Sequence, residues 1–143
     1  MLDLLVSLTY VERGVIVAGR NETNPALILA LAERLGWPVI ADHRSGCRSA
    51  RRVVINRFDS LLRHQEFASA HRPDAVLRLG EIVSSKAVSV WLRISESRCM
   101  ASKPHGRLID PERVASVTFD EAGIVAALLE ALPSFEGLSL IHI

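Results

Sequence analysis

The chain has 143 residues, of which 49% are hydrophobic and 23% are charged, and its formal net charge is +1. This length fits one domain with a sizeable core, and a nearly neutral chain with 5% aromatic residues gives no reason to expect nucleic acid as a partner. No apolar run reaches the roughly 18–20 residues that span a bilayer, so we expect no integral membrane segment.

The cysteine content and the chain ends indicate an ordinary intracellular domain. Cys47 and Cys99 are too few for a disulfide framework, so we expect reduced thiols. Residues 1–9 are apolar but lack the basic start and the cleavage site of a secretory signal. We therefore predict a cytoplasmic domain over residues 12–133, and we interpret residues 1–11 and 134–143 as truncated or non-native flanks.

The first part of the chain has the pattern of a parallel β-α-β unit. Short β-branched apolar runs are typical of strands buried on both faces. Asn24 and Pro25 suit the N-cap and the first position of a helix, and Gly36 supplies its end. The predicted elements are a strand over 14–19, a helix over 26–35 and a strand over 38–42.

The rest of the chain repeats the strand-then-helix pattern less regularly. We predict a polar loop over 43–52, a helix from 53 to about 63, a short helix over 65–71, a strand over 74–80, a helix over 84–94, a short strand over 98–102, a turn at 110–111, a strand over 115–119 and a helix over 123–132. This order implies an α/β fold with a Rossmann-like, open, mostly parallel sheet and helices on both faces.

The turn that follows the strand over 74–80 is the strongest candidate for a binding site. Ligands of open parallel sheets bind beyond the carboxyl ends of the strands, and a helix start offers unpaired N–H groups and a positive dipole end. Ser84, Ser85 and Lys86 lie at such a start, shortly after Gly80. We predict that they hold a carboxylate or a phosphate; the alternative is an ordinary exposed lysine on an amphipathic helix.

Other kinds of site are disfavoured. A dinucleotide site needs G-x-G-x-x-G, but only Gly19 is present and Arg20 and Glu22 add bulk, so we expect no binding of NAD, NADP or FAD. His43 and Cys47 have a spacing that a metal could use, but no second pair completes a zinc site. No G-x-S-x-G elbow with a base partner is present. We therefore assign no catalytic, cofactor-binding or metal-binding residue.

One loop is rich in arginine, with Arg44, Arg48, Arg51 and Arg52 close together. Such a cluster can form an anion patch or a nucleic-acid contact, and it can equally be a solvated polar face. No aromatic residue lies among the four arginines. A small anion or a neighbouring domain is therefore a better partner for this loop than nucleic acid.

Several segments together resemble one enzyme family. They are Arg13-Gly-Val-Ile-Val-Ala-Gly-Arg20, Leu35-Gly-Trp-Pro-Val-Ile-Ala-Asp42, Arg72-Pro-Asp-Ala-Val-Leu-Arg-Leu-Gly80, the pair Ser85-Lys86 with Trp91 five residues on, and Asp110-Pro111. Over about residues 12–132 the chain is similar to the middle, nucleotide-binding-like domain of 2-succinyl-5-enolpyruvyl-6-hydroxy-3-cyclohexene-1-carboxylate synthase. This is a thiamine-diphosphate-dependent transferase family of menaquinone biosynthesis.

The resemblance implies a part of a larger enzyme. The family decarboxylates 2-oxoglutarate on thiamine diphosphate with Mg²⁺ and adds the succinyl unit to isochorismate, and the cofactor lies between pyrimidine-binding and pyrophosphate-binding domains of a homo-oligomer. The resemblance therefore implies an inactive fragment that binds no cofactor and that packs between the cofactor domains, with Lys86 in the pocket for the anionic substrates. Some members of the family have an arginine at the position of Ala87. Some members also bind a feedback inhibitor through an arginine at the position of Glu81.

Two other interpretations stay open. The chain could be the middle domain of another thiamine-dependent enzyme, of the acetolactate synthase or pyruvate decarboxylase type, although the L-G-W-P and S-K motifs disfavour this. It could also be a free-standing Rossmann-like module that binds a small anion. Flanking codons that continue into thiamine-binding segments would exclude the free-standing module.

Overall fold

A computed structural model describes residues 11–21, 23–49, 52–55, 58–81, 85–95, 97–103, 115–120 and 123–132, together with Leu4, Leu8 and Val83. Besides the helical residues Leu4 and Leu8, this part of the chain contains six strands and five helices. In chain order they are β1 (Gly14–Ala18), α1 (Pro25–Leu35), β2 (Val39–Ala41), β3 (Val54–Ile55), α2 (Phe58–Leu62), α3 (Gln65–Ala70), β4 (Ala75–Leu79), α4 (Lys86–Ser95), β5 (Arg98–Lys103), β6 (Ala115–Asp120) and α5 (Ile124–Ala131).

The six strands form one parallel sheet in the order β3-β2-β1-β4-β5-β6. From β1 the chain adds strands in one direction, and from β4 it adds them in the other. The order therefore reverses between β1 and β4, and their carboxyl ends form the switch point at which open α/β sheets bind ligands. The predicted Rossmann-like sheet is confirmed.

The sheet carries a hydrophobic core on each face, because side chains alternate along every strand. Helices α1 and α5 pack together over one face, where Ile16 and Leu77 of the central strands belong to the same core as the buried Leu4 and Leu8. Helices α2, α3 and α4 cover the other face, where Val76 is buried. Every residue of β1 is buried, as its continuous apolar run predicts, and every residue of β4 is buried too, including Arg78.

Helix α1 begins and ends where the sequence predicts. The side chain of Asn24 accepts a hydrogen bond from the N–H of Ala26 at 2.9 Å, and Pro25 is the first helical residue. At the other end Gly36 is left-handed with φ of 71°, and its N–H donates to the carbonyl oxygen of Ala32. These contacts satisfy backbone groups that a helix end leaves without partners.

The predicted helix from 53 to about 63 is wrong in its first part. Val54–Ile55 is edge strand β3, paired with β2, and α2 begins only at Phe58. The run Val53-Val54-Ile55 is β-branched, which suits a pleated strand, and the carbonyl oxygen of Val53 accepts the N–H of Val39 at 2.7 Å. Tertiary pairing with β2 thus outweighs the helical pattern of the residues that follow.

The other predicted elements are confirmed within two residues of their expected bounds. The predicted turn at Asp110 and Pro111 lies outside the described residues. Among the described helices, none combines the length and the apolar character that crossing a membrane requires.

Candidate functional site

The switch point is filled by the chain's own backbone. The turns that follow β1 and β4 lie against each other: the N–H of Gly19 donates to the carbonyl oxygen of Leu79, and the N–H of Glu81 donates to that of Arg20, both at 2.9 Å. A Cβ atom on Gly19 would lie 1.9 Å from the carbonyl oxygen of Glu81. A Cβ atom on Gly80, which has φ of 80°, would lie 2.2 Å from the carbonyl oxygen of Arg20. Only glycine permits this approach.

The acidic residue that follows β2 is also engaged by side chains of the protein itself. Asp42 follows β2, where a dinucleotide-binding sheet places the carboxylate that binds a ribose hydroxyl. Its buried carboxylate accepts the Nε–H of Arg44 at 3.0 Å and lies 3.3 Å from Nδ1 of His43. Arg44 also lies 3.6 Å from the carboxylate of Glu81. An ion-pair network therefore crosses the mouth of the switch point, which supports the prediction that no dinucleotide binds there.

The arginine loop is attached to the sheet. Arg44 takes part in the network just described. The Nε–H of Arg48 donates to a carbonyl at the end of β2 at 3.1 Å, and its guanidinium carbon lies 6.0 Å from the ring centre of Phe58. Arg52 is exposed, and Arg51 lies outside the described residues. The first two arginines thus hold the loop to the carboxyl edge of the sheet, and this favours a packing role over an anion patch.

The thiols are buried on opposite faces of the sheet, so Cys47 and Cys99 cannot pair with each other. Burial raises the pKa of Cys47, and a hydrogen bond with Ser45 opposes that shift by a smaller amount. Within the described ranges no group of three or more His, Cys, Asp and Glu side chains is arranged to hold a metal ion.

Lys86 is the first residue of α4, and its side chain is exposed. Among the described residues it has no hydrogen bond or ion pair. It lies on the rim of an open groove of about 340 Å³ between α2, α3 and α4. Arg63 lines the same groove, and its wall includes Val90 and Ile94 of α4, which are 37% and 41% exposed.

Ser85 holds the start of α4 in place. Its hydroxyl oxygen accepts the N–H of Val88 at 3.3 Å, which is the N-cap contact of a helix, and the same hydroxyl donates to the carboxylate of Asp59 in α2 at 2.5 Å. Asp59 in turn lies 3.0 Å from Arg63, one helical turn further on. Asp59 and Arg63 could not be predicted as part of this site from the sequence, because no local pattern links α2 to α4.

The structure thus brings Ser85 and Lys86 together at one helix start, with an exposed lysine and a serine that caps the helix. Ser84 lies outside the described residues. The substrate-binding role of all three residues stays a prediction. The arrangement can bind an anion beside an apolar surface.

Comparison with known proteins identifies the family. A family model described as "Middle domain of thiamine pyrophosphate" matches residues 6–136. The chain belongs to this family. The resemblance found in its motifs is therefore confirmed, and so is the fold that the resemblance implies.

The most similar relatives share one name, 2-succinyl-5-enolpyruvyl-6-hydroxy-3-cyclohexene-1-carboxylate synthase. The protein of Thermobifida fusca is 34% identical over 128 residues, which are 90% of this chain and 22% of that protein. That of Myxococcus xanthus is 36% identical over 118 residues, 80% of this chain and 20% of that protein. That of Chloroflexus aurantiacus is 32% identical over an alignment of 148 positions that covers 92% of this chain and 24% of that protein. The chain spans about a fifth of the length of these relatives.

The described residues do not fit thiamine diphosphate. Mg²⁺ on a diphosphate is held by one or two carboxylates together with the phosphate oxygens, and the carboxylates of Asp42 and Glu81, which follow β2 and β4, are already paired with Arg44. The backbone of Glu81 and the side chain of Arg44 fill the mouth of the sheet, where a phosphate would otherwise approach. What the domain offers is the groove between α2, α3 and α4 that Lys86 lines.

Proposed function

We propose that this chain is the middle domain of a 2-succinyl-5-enolpyruvyl-6-hydroxy-3-cyclohexene-1-carboxylate synthase. The complete enzyme decarboxylates 2-oxoglutarate and adds the succinyl unit to isochorismate. The observation that carries the proposal is similarity to proteins of that name over 80% to 92% of this chain. The domain covers residues 12–133 and packs between pyrimidine-binding and pyrophosphate-binding domains of a cytoplasmic homo-oligomer. Those domains hold thiamine diphosphate and Mg²⁺.

The proposed contribution of this domain is Lys86, which contacts a carboxylate of an anionic substrate. Its ammonium group is exposed and has no ion-pair partner among the described residues. It lies at the positive end of α4, a helix of ten residues, so the dipole and the ammonium charge favour the same anion. Val90 and Ile94 offer an apolar wall for the hydrocarbon part of a substrate. In this proposal Lys86 binds and orients a substrate.

The position of Glu81 bears on regulation. Its carboxylate lies 3.6 Å from Arg44, so a paired acidic side chain stands where some relatives use an arginine for a feedback inhibitor. A carboxylate at this place repels an anionic inhibitor. The proposed function therefore does not include feedback inhibition through this position.

The test is Lys86→Ala in the complete synthase that contains this domain. Loss of a charged hydrogen-bond partner costs about 1.5–3 kcal/mol, which lowers kcat/KM for the substrate concerned by about tenfold to a hundredfold. The fold should remain, because an exposed side chain contributes little to stability.

A matched control is Arg72→Ala. Arg72 is an exposed cation near the opposite, amino-terminal end of β4, so its loss should leave kcat/KM within twofold. If Lys86→Ala also leaves kcat/KM within twofold for both 2-oxoglutarate and isochorismate, Lys86 is only a surface lysine and its proposed role is wrong.

A further inference from the structure

The position of Lys86 depends on a contact that crosses from α4 to α2. Lys86 follows directly after Ser85, and Ser85 is held from both sides. Its hydroxyl accepts the N–H of Val88 at 3.3 Å and donates to Asp59 at 2.5 Å. The hydroxyl has a single proton, so it can donate to Asp59 and accept from Val88 at the same time only in one rotamer. The carboxylate of Asp59 therefore fixes the orientation in which Ser85 caps α4.

The charges around Asp59 are arranged so that Lys86 stays available. A carboxylate at the start of a helix normally attracts the nearest cation. Here Asp59 already lies 3.0 Å from the guanidinium of Arg63, and it accepts the hydroxyl of Ser85. Lys86 makes no ion pair with it, although Arg63 and Lys86 line the same groove. The Arg63 pair thus neutralises a carboxylate that would otherwise compete with a substrate anion.

We propose that Asp59 is a positioning residue, which sets the start of α4 and the ammonium group of Lys86 through the hydroxyl of Ser85. The inference rests on the proposed substrate contact of Lys86. Asp59 touches no substrate. Without it the Ser85 hydroxyl turns to water, the first turn of α4 frays, and the ammonium group spreads over more positions before a substrate arrives. Fixing the ammonium group again when the substrate binds costs conformational entropy, and this weakens binding of the substrate without slowing the chemical step.

The experiment is a double-mutant cycle in the complete synthase, with kcat and KM measured separately for both substrates. Asp59→Ala should raise the KM of the substrate that Lys86 binds by about threefold to tenfold, in the lower part of the range for coupled neighbours. The kcat should stay within twofold, because the interaction is lost equally in the ground state and the transition state. Asp59→Asn retains an oxygen that accepts the hydroxyl, so KM should stay within twofold.

The decisive arm repeats Asp59→Ala in a Ser85→Ala background, where it should change KM by less than about 1.5-fold. A full effect in that background overturns the inference, because Asp59 then acts by another route. The inference is also overturned if Asp59→Ala leaves KM unchanged while Lys86→Ala raises KM. If Lys86→Ala itself has no effect, the proposed function fails and this inference fails with it.

Two controls separate positioning from general damage. Glu66→Ala removes an exposed carboxylate from neighbouring α3 and should change neither constant. If Asp59→Ala does not fold, Ser85→Ala and Ser85→Thr replace it. The first should raise KM and the second, which keeps the hydroxyl, should restore it to within twofold; equal KM values for the two variants would contradict the inference.

Discussion

Replacing Gly19 by alanine tests directly whether the switch point is closed by backbone. The added Cβ atom would lie 1.9 Å from the carbonyl oxygen of Glu81, whereas real Cβ contacts essentially never fall below 3.0 Å. The two turns would therefore have to move apart by more than about 1 Å. The atoms nearest to this Cβ atom belong to the backbone of Glu81, so no side chain can rotate away to make room.

Two contributions determine how much Gly19→Ala lowers the free energy of unfolding. Forcing extra volume into a packed site costs about 1–3 kcal/mol. The hydrogen bond from the N–H of Glu81 to Arg20 is stretched by the same movement, and its net contribution is about 0.5–1.5 kcal/mol. We expect Gly19→Ala to lower the free energy of unfolding by about 2–4 kcal/mol.

Two other glycines provide matched variants. Gly123 has φ of 70° and nothing within 4 Å of its added Cβ, so Gly123→Ala measures left-handed strain alone, about 1–2 kcal/mol. Gly19 has no such φ, so Gly19→Ala measures crowding alone. Gly80 combines φ of 80° with a contact of 2.2 Å, so Gly80→Ala should be the most destabilising of the three.

Urea unfolding followed by tryptophan fluorescence measures these differences, because Trp37 and Trp91 are each buried in one of the two cores and become exposed to water on unfolding. We expect the loss of stability to be smallest for Gly123→Ala, larger for Gly19→Ala and largest for Gly80→Ala. If Gly19→Ala destabilises no more than Gly123→Ala at an unchanged denaturant slope, the turns do not meet as described. The explanation for a closed switch point would then be wrong.

The remaining predictions concern ligands, activity and pH. Calorimetric titration of the chain with NAD, NADP or FAD should give no heat of binding, and a dissociation constant tighter than about 100 μM, roughly −5.5 kcal/mol, would contradict the filled switch point. The purified chain with thiamine diphosphate and Mg²⁺ should form no product from 2-oxoglutarate and isochorismate, and any succinyl transfer would refute this. Burial raises the pKa of Cys47 above its ordinary value of 9.0, so its contribution to the free energy of unfolding is complete below pH 9.0 and falls as the pH rises through the folded-state pKa. The difference in stability between the wild type and Cys47→Ser should shrink over that range, and a constant difference would contradict the raised pKa.

Much of the fold could be predicted because its signals are local. Asn24, Pro25 and Gly36 mark the two ends of α1 by backbone chemistry that holds in any protein. Strand β1 is an unbroken apolar run, because both faces of a parallel sheet are covered. The error at 53–63 arose where two local preferences meet without a glycine or proline between them, and only the pairing with β2 decides between them.

The candidate site was harder to predict, because its contacts join distant parts of the chain. A lysine after a strand-to-helix turn is visible in the sequence, and the structure has Lys86 as the first residue of α4. The partner of Ser85 is Asp59, which is 26 residues away on another helix. Likewise the hydroxyl of Ser102 on β5 accepts the N–H of Gly80 at 2.7 Å, although 22 residues separate them. No periodicity or spacing rule connects such pairs.

A Rossmann-like sheet need not bind a nucleotide, and this chain gives a physical reason. The usual pocket requires space at the switch point, and here Glu81 brings its backbone against Gly19 and its side chain towards Arg44. Closing that pocket also fixes both ends of the segment that leads to α4: Glu81 is held at the sheet, and Ser85 is held by Asp59. The segment therefore presents Lys86 from two anchors instead of from a free loop. A domain built in this way can supply a fixed cation at the edge of a site whose reactive groups belong to other domains. Loosening either anchor should then weaken substrate binding while leaving the rate of the chemical step unchanged.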